Sequence, residues 1–191
     1  MDYSDLKHAV TLDNDTLYQI MDDYGNDVWN YAFFLTGSRD HADDISQEVF
    51  IKAYQGIHTY RGEASLKTWL ITITRNTVHS YRRSRFFRQS LGSKLYSIDD
   101  EKTAGSSALS PNSRIAPSAE SIVMEQHYEN SIWEIIMSLS VKSREVLILA
   151  LKYEMKIHEI ANILHISEGT VKSRLSRAKE KVQKELGRRA E

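Results

Sequence analysis

The sequence predicts an all-α protein of two helical domains joined by a flexible linker, and three observations carry that expectation. Only two of the 191 residues are proline and eight are glycine, and few segments alternate at strand period. Apolar residues recur instead at 3.6-residue spacing along most of the chain. From about residue 87 to 119 that periodicity fades, and Ser, Gly, Asp and both prolines, Pro111 and Pro117, collect there. The expected domains are 12–90 and 120–187, with 91–119 as the linker.

Residues 1–12 read as a loose arm. Asp13 or Asn14 can cap a first helix whose face runs through Leu17, Ile20, Met21, Tyr24, Val28, Tyr31, Ala32 and Leu35, with Gly37 as its stop. A second helix starts near Asp40 and places Ala42, Ile45, Val49, Ala53 and Ile57 on one side. Residues 58–64, with Gly62, break the pattern and read as a loop. Ser65 then caps a third helix, with Leu66, Trp69, Leu70 and Ile73 inward, which runs into Tyr81, Arg82 and Arg83. Beyond the linker, 120–139 forms one amphipathic helix and 142–153 another.

Residues 157–181, IHEIANILHISEGTVKSRLSRAKEK, read as two short helices joined by a tight turn. Ile157, Ile160, Ala161, Ile163 and Leu164 make one apolar face, and Ile166, Val171, Leu175 and Ala178 resume it. Ala161 is small where crossing helices approach closely. Ser167 stands at the N-cap of the second helix, which carries Lys172, Arg174, Arg177, Lys179 and Lys181. A helix-turn-helix puts such a helix into the DNA major groove; the blander alternative is a solvated basic face on a helical hairpin.

Composition narrows the classes. No cysteine is present, which excludes disulfides, thiolate zinc sites and cysteine nucleophiles. No apolar run reaches membrane-spanning length, and the acidic start lacks the order of a signal peptide, so a cytoplasmic protein without membrane insertion is expected. The net charge of −1 conceals blocks. Residues 1–60 hold 3 basic and 11 acidic residues, and 61–94 hold 8 and 1. Residues 95–137 hold 2 and 7, and 138–191 hold 12 and 7. Two basic blocks between acidic ones suggest two separate nucleic-acid contacts, with a basic protein partner as one account of the acidic blocks.

The segment DDISQEVF at 43–50 is the second strong signal. On a helix Asp44, Gln47, Glu48 and Ile51 share a face, presenting carboxylates and an amide beside apolar surface. Such a face suits a basic, rigid partner helix; a solvated acidic face is the duller reading. Together with SLKTWLITITRN at 65–76, Tyr81-Arg82-Arg83, Arg144-Glu145-Val146-Leu147 and EGTVKSR at 168–174, it resembles the extracytoplasmic-function (ECF) sigma factors. These are the bacterial transcription initiation factors that keep only regions 2 and 4 of the sigma-70 family. The resemblance covers roughly 15–86 and 120–186, with the motifs in the family's order.

The resemblance implies roles residue by residue. Asp43, Asp44, Gln47, Glu48, Phe50 and Ile51 would dock on the clamp-helices coiled coil of the RNA polymerase β′ subunit. The 59–64 loop (TYRGEA) and the start of the next helix would capture a flipped base of the −10 element, with Tyr60, Arg61, Lys67, Thr68 and Trp69 supplying rings, donors and cations. Trp69 also reads as a core residue. Arg75, Asn76, Arg82 and Arg83 would hold the separated strand's phosphates, although Arg82, Arg83, Arg85 and Arg88 could simply end a helix against its dipole. Lys172, Ser173 and Ser176 would read base edges of the −35 element, and Thr170, Arg174 and Arg177 would hold phosphates. The second domain would also dock on the β-subunit flap, and an anti-sigma factor would hold the protein inactive.

Departures from the family pattern are Ser140 in place of a proline, which should alter only a helix start, and His165 at a turn position usually held by glycine. Lys156 and His158 also differ. Two other classes, an enzyme and a repressor, compete with that reading. His41, Asp43, Asp44 and Glu48 cluster within two helical turns, but no second histidine, catalytic constellation or glycine-rich phosphate loop accompanies them, so neither metal, cofactor nor catalysis is expected. A repressor would share the helix-turn-helix but would bind duplex operators by itself.

Overall fold

A carboxylate starts the first helix. The computed structural model describes residues 3–83 and 132–189. In it Asp13 accepts from the Thr16 N–H at 2.9 Å and the Thr16 hydroxyl at 2.7 Å, satisfying a first-turn amide that has no helical partner. Those bonds hold the Asp13 carboxyl below its usual range. Helix α1 runs over Asn14–Thr36 and ends at Gly37, whose φ of 71° lets its N–H reach the Phe33 carbonyl at 2.7 Å. Ser38 caps α2 (Arg39–Gly56), and the Ser65 hydroxyl accepts from the Thr68 N–H at 3.1 Å at the head of α3 (Leu66–Arg83).

The three helices pack pairwise around one core. Ala42, Ile45, Val49, Ala53 and Ile57, the expected α2 stripe, are all buried, opposite Ile20, Val28, Tyr31, Ala32 and Leu35 of α1. Phe33 and Phe34 are buried as well, and the Phe33 ring stacks on Trp29 at 5.4 Å. On α3 the stripe is rotated from the expected one. Leu66 and Leu70 are buried, but Trp69 and Ile73 are only half-buried, and Ile71, Thr74, Thr77 and Val78 complete the inner face. Two threonines belong to the core because their hydroxyls are satisfied. Thr74 donates to the Leu70 carbonyl at 2.8 Å, and Thr77 accepts from the Lys52 ammonium at 3.2 Å.

The first residues correct the expectation of a loose arm. Ser4–His8 forms a 3-10 turn that packs against a second one, Ile57–Thr59, and Leu12 is buried. Tyr3 fastens the segment to α1, its ring 5.8 Å from that of Tyr24 and its hydroxyl donating to Asp23 at 2.7 Å.

In the second unit residues 132–137 are helical, followed by α4 (Val141–Leu151), α5 (Ile157–Leu164) and α6 (Glu168–Arg189). Ser140 serves as the N-cap of α4, accepting from the Ser143 N–H at 3.4 Å, so its hydroxyl fills the place of the expected proline. Helix α4 is buried continuously from Arg144 to Leu149 and forms the centre of this unit, packed against α5 and α6. The buried Arg144 donates to the carbonyls of Met137 at 2.6 Å and Leu139 at 3.0 Å, groups at a helix end that lack helical partners. His165 takes the left-handed conformation at φ 55°, ψ 44°, and the Glu159 carboxylate accepts from the Lys156 N–H at 2.8 Å across the start of α5.

By its contacts the chain divides into two units, Met1–Ile98 and Asp99–Glu191. The expected linker at 91–119, the 120–131 part of the expected helix, and Arg85 and Arg88 lie outside the described residues. Among the described residues no helix is long and apolar enough to cross a membrane.

Candidate nucleic-acid interface

The loop after α2 and the first turns of α3 converge on one pocket of about 200 Å³. Tyr60, Arg61, Thr68 and Trp69, four residues assigned to base capture, line it together with Gly62, Glu63 and Thr72. Tyr60 is largely buried. Its hydroxyl donates to the Ala64 carbonyl at 3.0 Å, closing the loop, and its ring lies 5.5 Å from Trp69 at 53°. The half-buried Trp69 thus touches the Tyr60 ring and lines the pocket. Gly62 has φ 68°, a conformation that costs other residues about 1–2 kcal/mol. Lys67 does not line the pocket; its ammonium pairs with Asp27 of α1 at 2.8 Å. Glu63 belongs to the 59–64 loop already assigned to the site, whereas Thr72 was not expected there. Thr72 stands one helical turn beyond Thr68, a spacing that was available as a signal.

Farther along α3, Arg75, Asn76, His79, Ser80 and Arg83 line a polar cleft of about 370 Å³. Three of the four residues assigned to strand phosphates meet there. Arg82 is directed elsewhere, donating to the Leu35 carbonyl at the end of α1, so it ties two helices together. His79, absent from the expected site, is half-buried among guanidiniums. Burial first, then Arg75, Arg82 and Arg83, lower it from the ordinary 6.5 to about 4, leaving a neutral imidazole at neutral pH.

On α2 the expected acidic face is present, but each carboxylate has a neighbour. Asp43 accepts from the Trp29 indole at 2.6 Å, Asp44 from the Tyr81 hydroxyl at 3.4 Å, and Glu48 pairs with Lys52 at 2.6 Å. Burial and the Asp44 charge raise the Tyr81 phenol above its usual range. Gln47 is exposed and Ile51 is 56% exposed. Phe50, expected on the same surface, is 6% exposed and belongs to the core, because it lies on the side of α2 next to Val49 and Ala53. Tyr54, 43% exposed and one turn beyond Ile51, extends the apolar part of the face and was not foreseen.

In the second unit Ser167 accepts from the Thr170 N–H at 3.2 Å, and the two hydroxyls lie 2.9 Å apart. Val171 and Ala178 point inward, so Lys172, Ser176 and Arg177 stand exposed on the outer side of α6, with Ser173 and Arg174 half-buried at its flanks. The Ser173 hydroxyl donates to the Thr170 carbonyl at 3.0 Å, and Thr170 is engaged in the cap, so both hydroxyls are partly committed to the helix.

The first unit thus carries a ring-lined pocket and a cationic cleft along one helix, and the second carries a helix-turn-helix. The sigma-70 region 2 family model matches residues 20–86, and the sigma-70 region 4 model matches 129–182. The chain is 32% identical over 185 residues to the ECF RNA polymerase sigma factor SigW of Bacillus subtilis, covering 95% of this chain and 94% of SigW. It is 29% identical over 184 residues to the probable RNA polymerase sigma factor RfaY of Xanthomonas campestris, covering 96% of this chain and 44% of that protein. The fold is similar to that of the sigma factor RpoE solved with the anti-sigma factor NepR from Bartonella quintana. The TM-score is 0.68 at 24% identity, over 89% of this chain and 96% of that one. The chain belongs to the ECF RNA polymerase sigma factors, a group of transcription initiation factors.

Proposed function

We propose that this sigma factor acts by dividing binding energy among polymerase and two promoter elements, with no covalent chemistry of its own, in the cytoplasm. Residues 12–90 form the polymerase-docking and −10-reading domain, 91–119 the linker and 120–187 the −35-reading domain, which also meets the β flap. Asp43, Asp44, Gln47, Glu48 and Ile51, extended by Tyr54, dock on the β′ clamp helices: charge steers the encounter and the Ile51–Tyr54 patch supplies affinity. Phe50 supports that surface from beneath. The pocket at 59–64 takes the flipped −10 base, which must recover the few kcal/mol lost on unstacking. Arg75, Asn76 and Arg83 hold the separated strand, while Lys67 and Arg82 position α3. Lys172, Ser173 and Ser176 face base edges at −35, and Thr170, Arg174 and Arg177 face phosphates. An anti-sigma factor that covers these surfaces would keep the protein inactive, as the partner named in the RpoE structure suggests.

The convergence of Tyr60, Arg61, Thr68 and Trp69 on one pocket, one turn ahead of the Arg75–Arg83 cleft, carries this reading. It predicts that the protein alone binds promoter duplex weakly and that core RNA polymerase confers tight binding. Fluorescence anisotropy with labelled genomic promoter fragments, with and without core enzyme, tests it. Tight, palindrome-specific duplex binding without polymerase would contradict it and favour a repressor.

A further inference from the structure

The segment ahead of α1 reaches the base-capture loop. An ideal Cβ placed on Gly62 would meet Lys7 Cβ at 2.9 Å, Cδ at 3.4 Å and Cγ at 3.7 Å, so the Lys7 stem lies directly against the Gly62 backbone. The 3-10 turn that carries Lys7 packs on Ile57–Thr59, the turn that leads into the loop. Tyr3 anchors that turn to α1 through Asp23 and Tyr24. Burial and the Asp23 hydrogen bond push the Tyr3 phenol up to about 12, which favours the protonated hydroxyl that donates to Asp23. The pocket wall at 59–62 thus has three supports: the Tyr60–Ala64 hydrogen bond within the loop, the Tyr60–Trp69 ring contact with α3, and Lys7 from the N-terminal turn.

We infer that residues 3–9 are a positioning element of the −10 pocket, in which the aliphatic stem of Lys7 holds the Gly62 backbone where the loop can close on a flipped base. Lys7 acts through packing, and its ammonium is not part of the role. A loop with φ 68° at its centre has many open conformations without such a support, because glycine adopts positive and negative φ about equally. Holding it in one of them spends the ordering cost before the base arrives. This inference rests on the assignment of the 59–64 loop to base capture.

The test uses the full chain with core polymerase on a promoter recovered from a genomic library, its −10 bases randomised, with transcripts sequenced to read base preference. Core affinity is measured in parallel. Lys7→Gly is expected to flatten −10 preference on the order of tenfold, equivalent to about 1.4 kcal/mol of lost discrimination, with core affinity unchanged. Lys7→Met keeps the stem without the charge and is expected to retain the wild-type preference. Wild-type preference in Lys7→Gly, or equal damage from Lys7→Met, overturns the inference, the second outcome assigning the ammonium a direct contact with DNA. Arg61→Ala and Trp69→Ala separate the two layers. If they flatten preference while Lys7→Gly does not, the pocket assignment stands and the positioning role fails. If they leave preference intact, the assignment itself fails and the inference goes with it.

Discussion

At the scale of single residues, two positions translate geometry into measurable energy. Gly62 combines a left-handed backbone with the Lys7 stem at its Cα. Gly62→Ala therefore introduces backbone strain of about 1–2 kcal/mol and displaces Lys7 as well; urea denaturation should show at least that loss. His79 is the second. Its folded value near 4 lies below the 6.5 of the exposed side chain, so the unfolded chain takes up the proton first as pH falls. Its neutral form contributes in full above about 6.5, and the protein loses stability relative to His79→Asn as pH drops from there toward about 4. Urea midpoints of the two proteins compared across that window test this; parallel curves would contradict it. Neither position could be found by motif. Gly62 was legible as a loop residue, but its neighbour is 55 positions earlier in the chain, and His79 acquires its environment only when α3 folds.

At the scale of elements, ends were more legible than faces. Caps are local chemistry: Asp13, Ser65 and Ser167 bond amides three residues ahead, and Gly37 ends α1 with its own backbone. The α2 stripe was also readable because all five of its members are aliphatic. The α3 stripe was not, since Thr74 and Thr77 count as polar until their hydroxyls find partners. That rotation left Trp69 at the pocket and turned Arg82 toward α1. The N-terminal turn was missed for a related reason, as its order comes from Tyr3, Asp23 and Tyr24 and not from periodicity. The turn of the helix-turn-helix yields a prediction: His165→Gly relieves left-handed strain at φ 55° and should raise stability by about 1 kcal/mol, read by thermal or urea unfolding. On α6, Lys172→Ala should change −35 base preference, costing about 1–3 kcal/mol of discrimination. Arg177→Ala should weaken all promoters alike and lower the salt slope of binding by about one. Equal, sequence-independent losses from both would remove the division between base and phosphate contacts.

At the scale of the whole molecule, the charge blocks of the sequence acquire locations. The acidic block from 1 to 60 includes the face of α2, the basic block from 61 to 94 includes the pocket and cleft of α3, and the basic end includes the outer side of α6. The acidic face proposed for docking is tied to α3 inside the first unit, since Tyr81 of α3 bonds Asp44 and Lys52 bridges Glu48 and Thr77. The acidic surface proposed for polymerase offsets the cationic surfaces proposed for DNA, in keeping with a net charge of only −1. In the proposed function the α2 face brings the cationic surfaces of α3 and α6 to polymerase. The most direct test of that role is run-off transcription from a genomic promoter library by core RNA polymerase, with the native chain and with Asp44→Lys/Glu48→Lys. A defined set of transcripts that depends on the native chain and disappears with the charge-reversed one is expected. The same transcript set from both proteins, or none from the native chain despite its binding to core enzyme, would contradict it.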